Sequence, residues 1–290
     1  MTLDVQLVGT TTKMAIIKLT PGQVVYSEAG KFLFCSDDVV METKLTQPDP
    51  GGGGTAGGGD GGGLFSPGGG SGGGGLFGGS GGVGGLLRGA LDVGKRMLAG
   101  ESFAFTHFHS RGGVGVLALA GVLPGEMRAI ELDGSTTWFA EKDAFVAAEA
   151  GVTFGVSFMG GRAGFAGGEG FVLEKFTGVG TLLVAGAGDF IDLNPADLGG
   201  KIRVDTGCVV AWDQNIRYGV ERIGRLNRQG AMNAMFGGEG FSVATLEGNG
   251  QVILQSVTID ALAKALEKNM GMGDSKTGAG MGGLFSGSAD

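Results

Sequence analysis

The chain has 290 residues, 65 of them glycine, and carries a net charge of −8. That length can bury a sizeable core in one or two domains, and the acidic balance argues against the clustered Lys and Arg of a large nucleic-acid footprint. No run of about 18 apolar residues occurs, so no membrane-spanning helix is predicted, and the two cysteines, Cys35 and Cys208, are too few for a disulfide framework.

The first residues, Met1 to Val5, hold neither a basic region nor a long apolar one, so no signal peptide is read there and a cytoplasmic compartment is expected. Ile17 to Val40 then form a first kind of module, called A. The turn-bounded runs in it are Pro21-Gly22-Gln23-Val24-Val25-Tyr26 and Lys31-Phe32-Leu33-Phe34-Cys35, and they predict paired short strands. Cys35 and, later, Cys208 are read as small buried hydrophobes. Asp37-Asp38 is read as a solvated turn.

Gln47-Pro48-Asp49-Pro50 opens a glycine block that runs to Gly85. Such a segment cannot bury enough apolar surface to offset its ordering entropy, so a flexible insertion is expected. It matches dinucleotide-binding glycine patterns trivially, with no strand before it. The Gly89 to Gly94 stretch followed by Lys95 fails as a phosphate loop, because Arg96 stands where Ser or Thr should hold Mg²⁺. Ser71 and Ser80 lie in Gly-x-Ser-x-Gly matches inside the block, again without the strand and helix that a nucleophile elbow needs. Leu86 to Leu98 predicts a short helix or an irregular lead-in.

A second kind of module, B, begins at Gly100-Glu101-Ser102-Phe103 and runs through Gly113-Val114-Gly115 into Val116-Leu117-Ala118-Leu119. It recurs at Gly168-Glu169-Gly170-Phe171, with Gly178-Val179-Gly180 before Leu182-Leu183-Val184. A third copy begins at Gly238-Glu239-Gly240-Phe241, with Gly248-Asn249-Gly250 before Val252-Ile253-Leu254. The copies lie about 70 residues apart, an architectural repeat. An A module precedes each. The second, Ile130 to Phe158, holds Thr137-Trp138-Phe139 and Ala144 to Ala148; the third, Leu198 to Val220, holds Lys201 to Val204 and Cys208 to Trp212.

The order A, B, A, B, A, B predicts an all-β protein of three tandem repeats forming a pseudo-threefold β-sandwich or β-prism body. Thr258 is placed to cap a helix from Ile259 to Asn269 with an apolar stripe at Ile259, Leu262, Ala263, Leu266 and Met270, expected to pack on the β body. The expected segmentation has 1–46 as the first half of repeat 1, 47–85 as the insertion and 86–128 as the second half of repeat 1. Residues 129–190 are repeat 2, 191–257 repeat 3, 258–270 the C-terminal helix and 271–290 a flexible Gly-rich tail.

Lys95 to Phe103, the Thr106-His107-Phe108 strand, the later Gly-Glu-Gly-Phe and the Ile191-Asp192-Leu193-Asn194-Pro195 run together resemble the altered inheritance of mitochondria 24 family, over most of the chain from Val5 to the C-terminal helix. The resemblance implies a fold like that of the bacterial tryptophan attenuation protein (TRAP-like), with β-sandwich units around a symmetry axis, commonly as homo-oligomers. It brings no firm activity, and it links the mitochondrial members to inner-membrane organisation. The long glycine block goes beyond the family pattern.

Glu101, Glu169 and Glu239, with Gly100, Gly168 and Gly238, are read as structural turn residues whose carboxylates accept backbone N–H bonds. A threefold carboxylate ring around a cation is the sharper alternative. His107 and His109 fall on one face of a strand at ligand-compatible spacing, but no third ligand stands nearby, so no metal site is predicted. Phe103, Phe171 and Phe241, and likewise Phe108, Phe176 and Leu246, are read as core. Arg217, Arg222, Arg225 and Arg228 form one modest cluster, read as a solvated loop. Gly63-Leu64-Phe65, Gly75-Leu76-Phe77 and Gly283-Leu284-Phe285 set short apolar pairs in glycine; Leu64, Phe65, Leu76, Phe77, Leu284 and Phe285 are candidate interaction stickers acting through avidity.

No catalytic or cofactor residue is predicted, and the protein is not expected to be an enzyme. The expected function is a homo-oligomeric scaffold or adaptor, a trimer, that binds a protein partner or a membrane-associated assembly, cytoplasmic or peripheral to a membrane. The alternatives are a small-ligand or metal-binding module and, by fold analogy alone, an RNA-binding protein.

Overall fold

The computed structural model describes residues 3–48, 104–141, 143–159, 171–222 and 242–270. These form strands β1 (Asp4–Val8), β2 (Met14–Leu19), β3 (Val24–Glu28), β4 (Phe32–Cys35), β5 (Val39–Lys44), β6 (Phe105–Ser110), β7 (Gly115–Ala120), β8 (Met127–Asp133) and β9 (Trp138–Glu141). Then come β10 (Phe145–Glu149), β11 (Val152–Met159), β12 (Phe171–Ala185), β13 (Phe190–Leu193), β14 (Lys201–Val204), β15 (Val209–Asp213), β16 (Ile216–Arg222), β17 (Ser242–Gly248), β18 (Val252–Gln255) and a single α-helix, α1 (Ile259–Met270), with short 3-10 turns at Pro195–Leu198 and Thr206–Cys208. The protein is predominantly β, as composition and turn spacing predict.

The strands lie in layers with a core between each pair of neighbours. The first layer is β1-β2-β7-β4. The second is β8, the C-terminal half of β12, β10, β3, β6 and β5; the third is β13, β18, β15, β9, the N-terminal half of β12 and β11. The fourth is β14-β17-β16. All of these pairings are antiparallel. Ile17, Leu117 and Phe108 fill the first core, Phe105, Phe145, Phe154 and Phe176 the second, and Trp212, Tyr218 and Leu246 the third. Phe108, Phe176 and Leu246, expected as core, are each fully buried, one per core.

The prediction of paired short strands inside each A module is corrected. β3 pairs with β6 and β10, β9 with β12 and β15, and β14 with β17, so none pairs with the strand that follows it in sequence. The turn between successive strands carries the chain across a core to another layer. The Tyr26 hydroxyl donates to the Val152 carbonyl at 2.9 Å across the second core.

The three Gly-x-Gly motifs share one hydrogen bond. The side-chain oxygen of Ser36 accepts the N–H of Val116 at 3.0 Å, that of Glu149 the N–H of Thr181 at 2.7 Å, and that of Asp213 the N–H of Gln251 at 2.8 Å. In each case the donor directly follows the second glycine of the motif. A Cβ at Gly180 would meet the Glu149 side chain at 3.0 Å, and one at Gly250 would meet the Asp213 carboxylate at 2.3 Å. At these two positions the glycine leaves room for the acceptor, whereas a Cβ at Gly115 would meet the Val39 side chain at 2.5 Å.

β5 and β6 flank the glycine block and pair from Val39↔Ser110 to Lys44↔Phe105. The chain therefore leaves and re-enters the sheet at adjacent positions. Past β5, the Gln47 side chain still accepts the Phe154 N–H at 2.6 Å. Deleting Gly51 to Gly81, beyond that anchor, is expected to leave the melting temperature within about 2 °C of wild type, since halving a loop changes its closure cost by only about 0.6 kcal/mol. A clear drop in a calorimetric scan would show that the block packs on the body.

Candidate interaction surface

β4 is a terminal strand of its layer: it pairs with β7 along one edge, and no described strand pairs with the other. Its residues are apolar, yet Phe32 is 40% exposed, Leu33 48% and Phe34 50%. Phe32 is partly held by stacking on Phe108, ring centroids 5.9 Å apart. A bare strand edge bearing large apolar side chains is a template for pairing with another chain, and a contiguous exposed apolar patch marks an interaction site. At the far end of the molecule β14 is likewise terminal, with Lys201 and Arg203 exposed and both bridged to Glu221.

α1 is the second exposed apolar feature. Thr258 caps it as predicted, its hydroxyl accepting the Ala261 N–H at 3.1 Å. The expectation that the helix packs on the β body is corrected: none of its residues is buried, and Ile259, Leu266 and Met270 are exposed. Its apolar stripe is legible in the sequence, but what the stripe faces is not. Among the described residues no helix is long and apolar enough to cross a membrane.

One half-buried polar pair escapes sequence reasoning. Glu141, at the end of β9, faces Tyr218 of β16, whose hydroxyl donates to Glu141 Oε1 at 3.4 Å. Trp212 stacks on Tyr218 with ring centroids 4.8 Å apart and on Phe139 at 6.0 Å. Burial in this aromatic wall pushes the Glu141 carboxyl up to about 7, against the weaker opposing effect of the Tyr218 hydrogen bond. Burial, with the Glu141 charge second, holds the Tyr218 phenol protonated well above its ordinary range.

His107 is buried, with Nε2 2.8 Å from the Thr46 carbonyl oxygen, and burial lowers its pKa. His109 lies two residues on, along the same strand. Among the described residues no group of three His, Cys, Asp or Glu side chains converges as a metal site would require. Arg217 pairs with Glu247 at 2.7 Å, Arg222 ends β16, and Arg225 and Arg228 lie outside the described residues. Cys35 and Cys208 are free thiols and only half-buried, which corrects their reading as buried hydrophobes: Cys35 ends β4 and packs against the margin of the first core, and Cys208 lies in the turn that leads into β15. Asp37-Asp38 does form a turn.

The turn residues Gly100, Glu101, Gly168, Glu169, Gly238 and Glu239, and the stickers Leu64, Phe65, Leu76, Phe77, Leu284 and Phe285, lie outside the described residues. So do Phe103, Phe241 and the stretch from Leu86 to Leu98. The residues that sequence reasoning missed are Phe32, Leu33 and Phe34. Their signal was present: β10 and β15 match β4 in place and spacing, but carry Ala147 and Ala211 where β4 carries Phe34.

The chain belongs to the family described as mitochondrial biogenesis AIM24, whose sequence pattern it matches over residues 5–257. No curated protein matches it. A crystal structure of a protein from Streptococcus pyogenes superposes with a TM-score of 0.61 at 22% identity, covering 92% of this chain and 99% of that one. That likeness concerns the fold.

Proposed function

We propose that this member of the AIM24 family is a non-catalytic homo-oligomeric scaffold, a trimer, built from three tandem β-sandwich units in a TRAP-like arrangement. In this reading it holds protein partners, or a membrane-associated assembly, on apolar surface left open at its edges. The observation that carries it is β4, a strand whose three apolar side chains are exposed at an unpaired edge. The exposed stripe of α1 adds a second such surface.

The tandem-unit reading is supported by strand pairing. In β2 to β7 the pairs are β6 with β5 and β3, and β7 with β4 and β2. In β8 to β12 the N-terminal half of β12 pairs with β11 and β9, and its C-terminal half with β10 and β8. In β13 to β18 the pairs are β17 with β16 and β14, and β18 with β15 and β13. Each set is thus two half-sheets facing each other over one core.

Light scattering across a wide concentration range tests the oligomer: a mass that is a multiple of 29.0 kDa is expected, and a strict monomer overturns the proposal. Affinity capture from the native host, with and without α1, tests the adaptor role. A protein or membrane fraction retained only by the intact chain is expected; identical captures from the intact and shortened chains would remove α1 from the binding surface.

A further inference from the structure

Neighbouring units are joined inside this chain by one kind of contact. β10 pairs with β3, placing Ala147 opposite Ser27, Ala148 opposite Tyr26 and Glu149 opposite Val25. β15 pairs with β9, placing Ala211 opposite Ala140, Trp212 opposite Phe139 and Asp213 opposite Trp138. Each joint runs one residue further, Ala150 N–H donating to Val24 O and Gln214 N–H to Thr137 O, both at 2.9 Å. Two half-sheets thereby become one sheet, twice over.

The donor half of this joint exists three times. β4, β10 and β15 each carry an irregularity at the same place, between Phe32 and Phe34, Phe145 and Ala147, and Val209 and Ala211. The acceptor that holds the N–H after a Gly-x-Gly motif follows at the same distance in each: Ser36 directly after β4, Glu149 at the end of β10 and Asp213 at the end of β15. The residues of β10 and β15 matching Phe32, Leu33 and Phe34 are at most 2% exposed. The acceptor half also exists three times, since β3, β9 and β14 pair equivalently with β6, β12 and β17. Among the described residues, only β4 and β14 lack their counterpart, and they lie in the first and last layers of the stack.

Resting on the oligomer reading above, we infer that β4 of one copy pairs antiparallel with β14 of a second copy, forming a third joint of the same design. The internal registers fix this one. Phe34 stands opposite Val204, Cys35 opposite Arg203 and Ser36 opposite Ile202; one step further, Asp37 stands opposite Lys201. The last pair sets an exposed acid against an exposed base, so the edges complement each other in charge as well as in backbone hydrogen bonding. Phe34 replaces the alanines of the internal joints and supplies more apolar contact, which suits a joint without a covalent tether. The contact is heterologous: each copy offers β4 to one neighbour and β14 to the other, and a closed ring leaves neither edge bare.

Two variants, each made in a background with Cys35→Ala and Cys208→Ala, test the register. One carries Phe34→Cys and the other Val204→Cys. Mixed and oxidised, they are expected to give a disulfide-linked pair containing one copy of each, while Ser110→Cys mixed with Val204→Cys gives none. No Phe34→Cys–Val204→Cys product from an oligomeric protein overturns the joint. In light scattering, Phe34→Arg is expected to weaken association about 100-fold, the effect of an unpaired charge in a desolvated joint. An oligomer that survives Phe34→Arg unchanged overturns the joint and leaves the scaffold reading standing. A wild-type monomer overturns both.

Discussion

Truncating Phe176 to alanine is expected to lower stability by about 3–5 kcal/mol, the range for a large aromatic removed from a tight core. Phe176 is fully buried at the centre of the second core. Its ring lies 5.2 Å from that of Phe145 and 5.6 Å from that of Phe154, and Phe154 in turn meets Phe105 edge-on at 5.4 Å. Those rings come from both middle layers, so the cavity would loosen the contact through which the two halves of the molecule communicate. Leu246→Ala, in the third core, is the comparison: about 2–5 kcal/mol is expected for that type of change, with the loss confined to the last layer and its neighbour. Chemical denaturation followed by tryptophan fluorescence separates the cases, because Trp212 lies in the third core and Trp138 in the second. Phe176→Ala should unfold both tryptophans together at lower denaturant. A Phe176→Ala midpoint equal to wild type would show that the second core is not the one that binds the layers.

Replacing Glu141 by glutamine is expected to flatten the dependence of stability on pH. The carboxyl sits at about 7 in the folded protein against a usual value of 4.5, because burial disfavours its charge. Between those values the folded chain holds a proton that the unfolded chain has released. Stability therefore falls as pH rises through 4.5 to 7 and then levels off, by at most about 3 kcal/mol at roughly 1.4 kcal/mol per pKa unit. A glutamine in its place carries no such penalty and keeps an amide within reach of the Tyr218 hydroxyl. The wild type should thus lose stability from pH 5 to pH 8 while Glu141→Gln loses much less, with the two converging near pH 4. Parallel curves across that range would place the carboxylate in contact with water.

The sequence carries the local devices of this fold better than their destinations. The Gly-x-Gly motifs stand out by spacing, yet the hydrogen bond beside them is hidden, because the acceptor of the following N–H changes from Ser36 to Glu149 to Asp213 and lies dozens of residues away. Thr258 and the stripe from Ile259 announce α1 through a cap and a 3.6-residue period, which are local properties. Whether that stripe meets a core depends on partners that no local pattern encodes. Val24 to Tyr26 and Phe32 to Cys35 read as a hairpin because a turn lies between them, whereas the structure sends them to different layers. In β12 the glycines at 178 and 180 look like a break, and the strand is instead continuous through them over 15 residues while its halves join different layers. Glu141 and Tyr218 carry no sequence signal at all, being ordinary residue types that only tertiary packing brings together.

The shared sheets also set a timetable for the nascent chain. A unit cannot complete its sheet until the following unit supplies the pairing strand. β9 waits from Glu141 to Val209 for β15, but β3 waits from Glu28 to Phe145 for β10, because the glycine block intervenes. At about 5–20 residues per second of synthesis, the edge of β3 that receives β10 stays unpaired on the ribosome for about 6–23 seconds, nearly twice as long as the matching edge of β9. The first unit is therefore where cotranslational chaperone capture should concentrate, and shortening the glycine block shortens that vulnerable interval.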